Sequence, residues 1–373
     1  MKQYLELAQK VLDEGTFKPA ARENMPSTIS LFGAQFRHKL SDGFPLLTTK
    51  KINFKNVVTE LLWFMKGDTN IKYLVDNGCN IWNEDAYNYY KKLNPTGAML
   101  FEEFVQRVKV TERKDFPPKN KSGYILGDCG KQYGWLWRSW EKFIYDDYSS
   151  WRAPWQPTKP VDQLSELIEG LKTNPMSRRH IITAWNPATL DDMALNACHS
   201  FVQFNCRPVP FHKVAKLLGK NTLELTTENI ELINKDWENS KLPKYYLDCQ
   251  LYQRSADLML GVPYNIASYS LLIHIICKIT NMIPGDFIHT FGDVHIYEDH
   301  VDAIKEQLSR TPDILPNLYI YTEFWLTETH ECGVGNFNSD LDALIQSWYI
   351  EDFQFKNYNP QSSIKVKLST GLK

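Results

Sequence analysis

A long apolar helix, predicted over residues 265–281, separates two segments whose apolar residues alternate as they do in half-buried strands, 246–254 and 287–297. Its longest apolar stretch, around Tyr269 to Ile276, is too short to span a bilayer, so we predict no membrane association. The chain contains more predicted strands than a regular series of β-α-β units would supply. We therefore expect an α+β fold rather than a doubly wound sheet.

Apolar periodicity predicts further elements along the chain. These are a helix at residues 3–14, a strand from Thr28, a largely buried helix around Val57 to Met65, a shorter helix from Asn70, a helix at 161–172, and strands at 179–186 and 199–206. We expect a single domain spanning residues 1–373 with two probable insertions. The first, about 92–125, joins a helical stretch to a charged Pro-Pro run, and the second, about 208–244, is polar and lacks a convincing core pattern.

The charge and cysteine content exclude several classes of protein. The formal net charge is −2 and no long basic run is present, so we predict no nucleic-acid partner. The seven cysteines include no Cys-x-x-Cys pair, which suggests neither a disulfide framework nor a zinc site, and we predict no metal. The N-terminal helix lacks a secretory apolar core, so we expect a soluble, cytoplasmic protein.

Two segments combine residue types that suit an anionic ligand. Residues 177–204 place Arg178 and Arg179 upstream of Cys198, and guanidinium groups suit a phosphate because each offers a planar fork of donors. Taken alone, this segment is better explained by surface arginines and a structural cysteine. Residues 249–272 gather polar side chains among apolar ones in one strand-to-helix connection, which indicates a site. These polar residues are Arg254, Ser255, Asp257 and Asn265.

Both segments belong to a larger set of motifs that occur in the order typical of one family. The motifs are DGFPLLTTK, ELLWF-x-x-GDTN, SRR…CH…QF, QLYQRS-x-D…LG-x-P-x-N-IASY and GDVHIY. They cover most of residues 1–91, 126–207 and 245–365, and through them the chain resembles the thymidylate synthase superfamily. The resemblance implies a large mixed β-sheet packed with helices and a homodimer formed through that sheet. It also implies an enzyme that transfers a one-carbon unit from 5,10-methylenetetrahydrofolate to C5 of a uracil nucleotide.

The resemblance assigns catalytic roles by motif position. The thiolate of Cys198 would add to C6 of the uracil ring and so activate C5. Arg254 matches a guanidinium expected to lower the pKa of that thiol from the value of about 8.5 in free cysteine. Glu60 matches the carboxylate that organises water and moves protons at O4 and C5. The implied catalytic residues are Cys198, Glu60, Arg254, Tyr133, Asp257 and Asn265.

The resemblance also implies how the nucleotide is bound. Asn265 matches the position that reads the pyrimidine edge, and its amide offers a donor for O4 and an acceptor for N3–H of uracil. Related cytosine-specific hydroxymethylases carry Asp there, so we expect dUMP as the substrate. Arg178 and Arg179 resemble a pair that reaches the phosphate from the other subunit, and His295 and Tyr297 match residues that bind the ribose hydroxyl. The implied substrate-binding residues are Arg22, Arg178, Arg179, Arg254, Ser255, Asn265, His295, Tyr297 and Gln253.

A third set of matching positions surrounds the folate. Asp257 resembles the residue that anchors the pterin ring, and Lys50 falls where the family meets the glutamate tail. The implied folate-binding residues are Lys50, Trp82, Leu195, Asp257, Leu260, Gly261 and Tyr264.

Four departures from the family pattern lie toward the folate side and the active-site lid. The loop after Arg22 reads Glu-Asn-Met-Pro where Thr-Gly is usual, Ala197 replaces a proline, and Asp85 stands at a position that is Trp in some synthases. The chain ends IKVKLSTGLK in place of a short Ala-Val type terminus whose carboxylate helps to seal the site. Lid and tail residues decide whether water or hydride reaches the exocyclic methylene that forms on C5.

These departures favour a dUMP hydroxymethylase, which makes 5-hydroxymethyl-dUMP and releases tetrahydrofolate. Such enzymes are known from bacteriophages that replace thymine, which would place the protein in infected bacterial cytoplasm. The alternative is a thymidylate synthase, which makes dTMP and dihydrofolate by hydride transfer. A non-catalytic homologue that binds nucleotide or RNA is disfavoured, because the set Cys198, Glu60, Asp257 and Asn265 is intact.

Overall fold

The computed structural model describes residues 1–20, 25–112, 124–145, 155–220, 227–321 and 341–367. The predicted site residue Arg22, the changed residues Glu23 and Asn24, and the end of the tail from residue 368 lie outside the described residues.

Helices and strands alternate irregularly along the described chain. The helices are α1 (Lys2–Glu14), α2 (Phe54–Met65), α3 (Lys72–Asp76), α4 (Asn83–Leu93), α5 (Phe101–Val110), α6 (Tyr133–Arg138), α7 (Gln163–Thr173), α8 (Phe211–Leu217), α9 (Thr227–Asn239), α10 (Gly261–Thr280), α11 (Val301–Ser309) and α12 (Leu341–Ser347). The strands are β1 (Thr16–Lys18), β2 (Thr28–Lys39), β3 (Phe143–Tyr145), β4 (Trp155–Pro157), β5 (Ile181–Thr183), β6 (His199–Pro208), β7 (Tyr245–Asp257), β8 (Ile283–Tyr297), β9 (Asn317–Ile320) and β10 (Phe353–Lys356).

A mixed sheet of six strands, in the order β1-β2-β8-β7-β6-β5, forms the centre of the fold. Among these described strands, β7 and β8 pair in parallel and the other neighbours are antiparallel. The parallel pair is possible because α10 connects the two strands, as a parallel connection requires a long crossover. The predicted α+β fold is thus confirmed, and the carboxyl ends of β7 and β8 lie side by side.

Helix α10 packs against β7 and β8 and against α2, and both helices are largely buried. Every residue of α2 from Val57 to Met65 is buried, including the carboxyl-bearing Glu60. Helix α10 begins at Gly261, four residues before the predicted start, and its 20 residues are long and apolar enough to cross a membrane. The apolar segment is therefore longer than the stretch predicted from the sequence, which runs from Tyr269 to Ile276. Most of α10 is buried inside the fold, as expected for a core helix.

Two other sequence expectations need correction. The strand predicted at 179–186 is only three residues long, β5, because beyond Ala184, whose N–H donates to the Ser200 carbonyl at 3.0 Å, the chain enters a turn capped by Asn186. The segment 208–244 has a core of its own, since α8 and α9 enclose a small apolar cluster. The buried members of that cluster are Val209, Val214, Ala215 and Ile233. Its apolar residues are few and widely spaced, which explains why periodicity did not reveal it. The helix predicted within 92–125 is confirmed as α5.

One row of side chains runs across four strands on a partly exposed face of the sheet. Phe201 pairs with Tyr252, Tyr252 with Thr290, and Thr290 with Gln35. Both Phe201 and Tyr252 are 38% exposed. The Gln35 amide donates a 2.8 Å hydrogen bond to the Thr290 hydroxyl. A monomer therefore presents a surface of mixed aromatic and amide character on this face.

Candidate active site

Cys198 lies immediately before β6, where a register irregularity between His199 and Phe201 bends the strand start. The hydroxyl oxygen of Tyr133 accepts hydrogen bonds from the backbone N–H of Cys198 at 2.7 Å and of His199 at 3.3 Å. Tyr133 is buried at the first residue of α6. The thiol segment is therefore held by a side chain 65 residues earlier in the chain.

Arg254, on β7, holds the same segment from the other side. Its backbone N–H donates to the Cys198 carbonyl at 2.9 Å. Its guanidinium donates to the carbonyls of Ala197 at 2.8 Å and Asn196 at 2.7 Å, and lies 5.3 Å from the centre of the Trp185 ring. The guanidinium thus fixes the backbone before the thiol, and the carbonyl of Ala197 supplies one of its acceptors.

The pKa of the Cys198 thiol is raised, whereas the resemblance implied that Arg254 lowers it. Burial raises the pKa of Cys198 above the ordinary value, the Arg254 charge lowers it, and the Asp85 carboxylate raises it. The net direction is upward because burial outweighs the guanidinium. In the ligand-free protein the thiol form is therefore favoured.

Glu60 faces the interior from α2 and accepts a 2.7 Å hydrogen bond from the indole N–H of Trp82. Burial raises the pKa of this carboxyl group to about 7, although the hydrogen bond from Trp82 acts in the opposite direction. The ring of Tyr133 lies 6.2 Å from that of Trp82 and 5.2 Å from that of His199. Packed aromatic rings therefore connect Glu60 to the thiol segment.

Asn265 is buried in the second turn of α10, and its Oδ1 accepts a 2.9 Å hydrogen bond from the Gln253 amide. His199 lies beside it: burial lowers the pKa of His199 to about 4, while a side-chain hydrogen bond with Asn265 opposes the shift. The predicted base-reading amide therefore lies beside His199, the residue after the predicted nucleophile.

The turn from β7 into α10 contains four of the predicted folate residues, Asp257, Leu260, Gly261 and Tyr264. One oxygen of Asp257 accepts hydrogen bonds from the backbone N–H of Met259 at 2.9 Å and of Leu260 at 3.2 Å, so it fixes the turn into α10. Leu195 is 38% exposed, and its carbonyl accepts a 2.9 Å bond from Gln132. Gly261 and Tyr264 occupy the first turn of α10, and Trp82 is buried against Glu60.

Lys50 faces inward rather than toward solvent. Its ammonium donates to the Met259 carbonyl, and burial lowers its pKa to about 8 despite the neighbouring Asp257. Its predicted contact with the folate tail remains a prediction. Among the described residues, no group of three or more His, Cys, Asp or Glu side chains is arranged to hold a metal.

The predicted ribose ligands lie at the end of β8. His295 is buried and bonded through Nδ1 to Asp293 at 2.9 Å, and its ring lies 5.1 Å from that of Tyr297. His295 pairs with Asp257 and Asp293 with Ser255 across the parallel strands. The predicted ribose and folate residues therefore share one edge of the sheet.

Arg178 and Arg179 do not join this cluster within one chain. Both are exposed before β5, whose Ile181 pairs with Gln203, five residues beyond Cys198 on β6. At about 3.3 Å per strand residue, the two arginines lie on the order of 15 Å or more from the thiol segment.

The described part of the tail packs back onto the fold. The carbonyl of Lys367 is 2.8 Å from Nε2 of the buried His300, and Ile364 and Val366 pack against the core. His300 Nδ1 is 4.0 Å from Asp257. The tail is therefore anchored close to the predicted pterin ligand.

Sequence reasoning missed several residues of the site. Trp185 contacts the Arg254 guanidinium with its ring face and Asn196 accepts from it through its backbone carbonyl, while the side-chain amide of Gln132 donates to the Leu195 carbonyl. No motif position marks such contacts. His289, which bonds to Gln253 at 2.9 Å, was also missed. The one available signal was a histidine in the apolar strand FIHTF, a residue type that requires a partner when buried.

A family model described as thymidylate synthase matches residues 2–370. The chain belongs to the thymidylate synthase family. A thymidylate synthase of Listeria monocytogenes is 38% identical over 99% of this chain and 100% of its own length. Those of Mycoplasma pneumoniae and Mycoplasma genitalium are 40% and 42% identical over 87% and 83% of this chain, and 90% and 86% of their own lengths. Members of the family are one-carbon transferases, so the predicted class of enzyme is confirmed. The hydroxymethylase subtype is not distinguished, and the relatives favour the alternative product.

Proposed function

We propose that this protein is a thymidylate synthase, which converts dUMP and 5,10-methylenetetrahydrofolate to dTMP and dihydrofolate. The observation that carries the proposal is a partly buried thiol, Cys198, whose backbone segment is held by Arg254 and Tyr133 next to Asn265, in a chain that aligns with the whole length of a named thymidylate synthase. The altered tail and Ala197 favoured hydration instead, but relatives with full-length similarity weigh more than four local departures. A bacteriophage origin remains a prediction.

The residues support a covalent route. The Cys198 thiolate forms a bond to C6, and the C5–C6 electron pair moves toward C5 and O4. C5 then bonds to the one-carbon unit as the bond from that carbon to one of its two folate nitrogens breaks, and the bond to the other nitrogen breaks later. Because the thiol pKa is raised in the free protein, we expect bound dUMP to be needed before the thiolate forms.

Glu60 is suited to moving protons at O4 and C5. A carboxyl group whose pKa is about 7 is present in both protonation states near neutral pH, which is the condition for donating and then accepting a proton. The indole of Trp82 holds one of its oxygens, leaving the other for water or substrate. Loss of the C5 proton, release of the folate nitrogen and hydride transfer to the methylene carbon complete the methyl group, after which elimination frees Cys198.

The folate would lie along the end of β7. One oxygen of Asp257 is used by the turn into α10, and the other is available to the donors of a pterin ring. The exposed side chain of Leu195 and the half-buried ring of Tyr264 offer apolar surface for the rest of the molecule.

We also propose a homodimer formed through the row of Gln35, Thr290, Tyr252 and Phe201. The exposed aromatic rings on this face favour burial against a second copy. Arg178 and Arg179, remote from Cys198 in their own chain, would then bind the phosphate in the partner's site. We place the enzyme in the cytoplasm.

Incubation of the protein with dUMP and methylenetetrahydrofolate tests the proposal. Mass spectrometry of the nucleotide should show dTMP appearing in step with dihydrofolate absorbance, and Cys198→Ser should show neither. 5-Hydroxymethyl-dUMP without dihydrofolate would establish the hydroxymethylase instead. Nucleotide binding without turnover would indicate a regulatory homologue.

A further inference from the structure

Two buried polar side chains, His289 and Gln253, continue a chain of hydrogen bonds behind the predicted base-reading residue Asn265. His289 Nε2 on β8 is 2.9 Å from Oε1 of Gln253 on β7. The Gln253 amide nitrogen donates to Oδ1 of Asn265 at 2.9 Å and to the Ser255 carbonyl at 3.0 Å. Gln253 is 3% and His289 0% exposed, so water does not compete for these bonds.

The polarity of this chain of bonds is fixed. The Ser255 carbonyl can only accept, so the end of Gln253 that faces it must be the amino group. The same amino group requires an acceptor on Asn265, which places Oδ1 there. The other end of Gln253 is then an oxygen, and His289 must donate to it through Nε2–H. Burial lowers the pKa of His289 well below its ordinary value, so the ring is neutral with Nδ1 unprotonated. Among the described residues, Nδ1 of His289 has no hydrogen-bond partner. A tautomer protonated at Nδ1 instead of Nε2 would therefore have no acceptor for its proton.

The orientation of the Asn265 amide matters because an amide can read either pyrimidine. With its oxygen toward N3 and its amino group toward position 4, it complements uracil. Rotated by half a turn, it presents an amino group to the unprotonated N3 of cytosine and an oxygen to the exocyclic amine. Asparagine by itself therefore does not discriminate between dUMP and dCMP.

We propose that His289 and Gln253 are positioning residues that lock the amide of Asn265 in one orientation, so that the protein accepts uracil and rejects cytosine nucleotides. This inference rests on the proposed function, because it requires Asn265 to meet the pyrimidine edge. The base contact belongs to Asn265, and the discrimination comes from the two residues behind it.

Calorimetric binding of dUMP and dCMP, without folate, measures the discrimination independently of the product. Gln253→Met, which removes the amide at similar size, should lower the ratio of dUMP to dCMP affinity roughly tenfold or more. His289→Phe should lower it in the same direction, by about threefold or more, because the Gln253 oxygen loses its donor. His289→Gln restores a donor at the position of Nε2 and should keep the ratio within about threefold of wild type.

His274→Phe is the matched control. His274 is also a buried histidine of lowered pKa, with an Nε2 that has no partner among the described residues, but it lies on α10 next to Phe44. It should change the unfolding temperature without changing the dUMP to dCMP ratio. An unchanged ratio in folded Gln253→Met and His289→Phe, or an equal loss in His274→Phe, would overturn the proposal. If wild type binds dUMP yet makes no dTMP, the proposed function fails while the positioning role is still decided by the ratio.

Discussion

At Glu60, burial has a consequence for stability as well as for chemistry. The pKa of the carboxyl group in the folded protein is about 7, above the ordinary value of 4.5. Between these values the folded state binds a proton that the unfolded state has released, so the contribution of this group to stability falls as pH rises. The contribution is fully present below about pH 4.5 and is lost above about pH 7.

Glu60→Gln should remove this dependence, because the amide keeps an acceptor for Trp82 and does not ionise. The free energy of unfolding of the variant relative to wild type should rise by about 3 kcal/mol between pH 4.5 and pH 8. Urea unfolding at fixed protein concentration measures this difference in free energy. The substitution Glu169→Gln, at an exposed glutamate on α7, serves as the control. A constant difference across this range would show that Glu60 ionises normally.

At the scale of elements, the loop before α6 determines where Tyr133 lies. Gly130 has a φ of +74° and forms a bridge with Met193, and a Cβ placed there would lie 2.0 Å from the Asp192 carbonyl oxygen. Three residues later Tyr133 begins α6 and holds the amide of Cys198. A side chain at residue 130 must therefore displace either the segment that leads to Tyr133 or the segment around Asp192 and Met193, both of which lie next to the Cys198 segment in the fold.

Gly130→Ala should lower the unfolding temperature. It should also lower the rate of dUMP turnover by at least about tenfold, because a small displacement of a reacting group greatly reduces the reaction rate. Gly78→Ala is a close control, because Gly78 has a φ of +75° but a Cβ at this position would have no described atom within 4 Å. It carries the backbone strain, roughly 1 kcal/mol, without the clash. Equal effects of the two substitutions would mean that the contact with Asp192 is unimportant.

At the scale of the whole molecule, the proposed dimer divides each site between two chains. Arg178→Ala and Cys198→Ser should each be inactive alone, while a mixture allowed to exchange subunits should recover about a quarter of wild-type activity. Half of the dimers are then mixed, and one of their two sites has both residues intact. Arg254→Ala mixed with Cys198→Ser should stay inactive, because both residues belong to the same chain's site. Recovery in neither mixture, with exchange demonstrated, would exclude a shared site.

Much of the fold follows from local pattern. Alternation identified β2, β6, β7 and β8, and helical spacing of apolar residues identified α1, which buries one face. Helices α2 and α10 were identified by their dense apolar content, because they are buried nearly all round. Short pieces such as β5 and the cluster of α8 and α9 were misjudged, because a few residues carry too little periodicity. The insertion boundaries and the single-domain organisation remain predictions.

The sequence alone determined the family and the order of its motifs, and it predicted the reactive groups, because these depend on residue types at fixed spacings. Only the tertiary structure decided that Arg254 bonds to the Asn196 and Ala197 carbonyls, that the Cys198 pKa is raised rather than lowered, and that His289 stands behind Gln253. Burial and hydrogen-bond polarity arise from residues tens of positions apart that meet only when the sheet assembles. The direction of a pKa shift or of a hydrogen bond therefore cannot be predicted from neighbours along the chain.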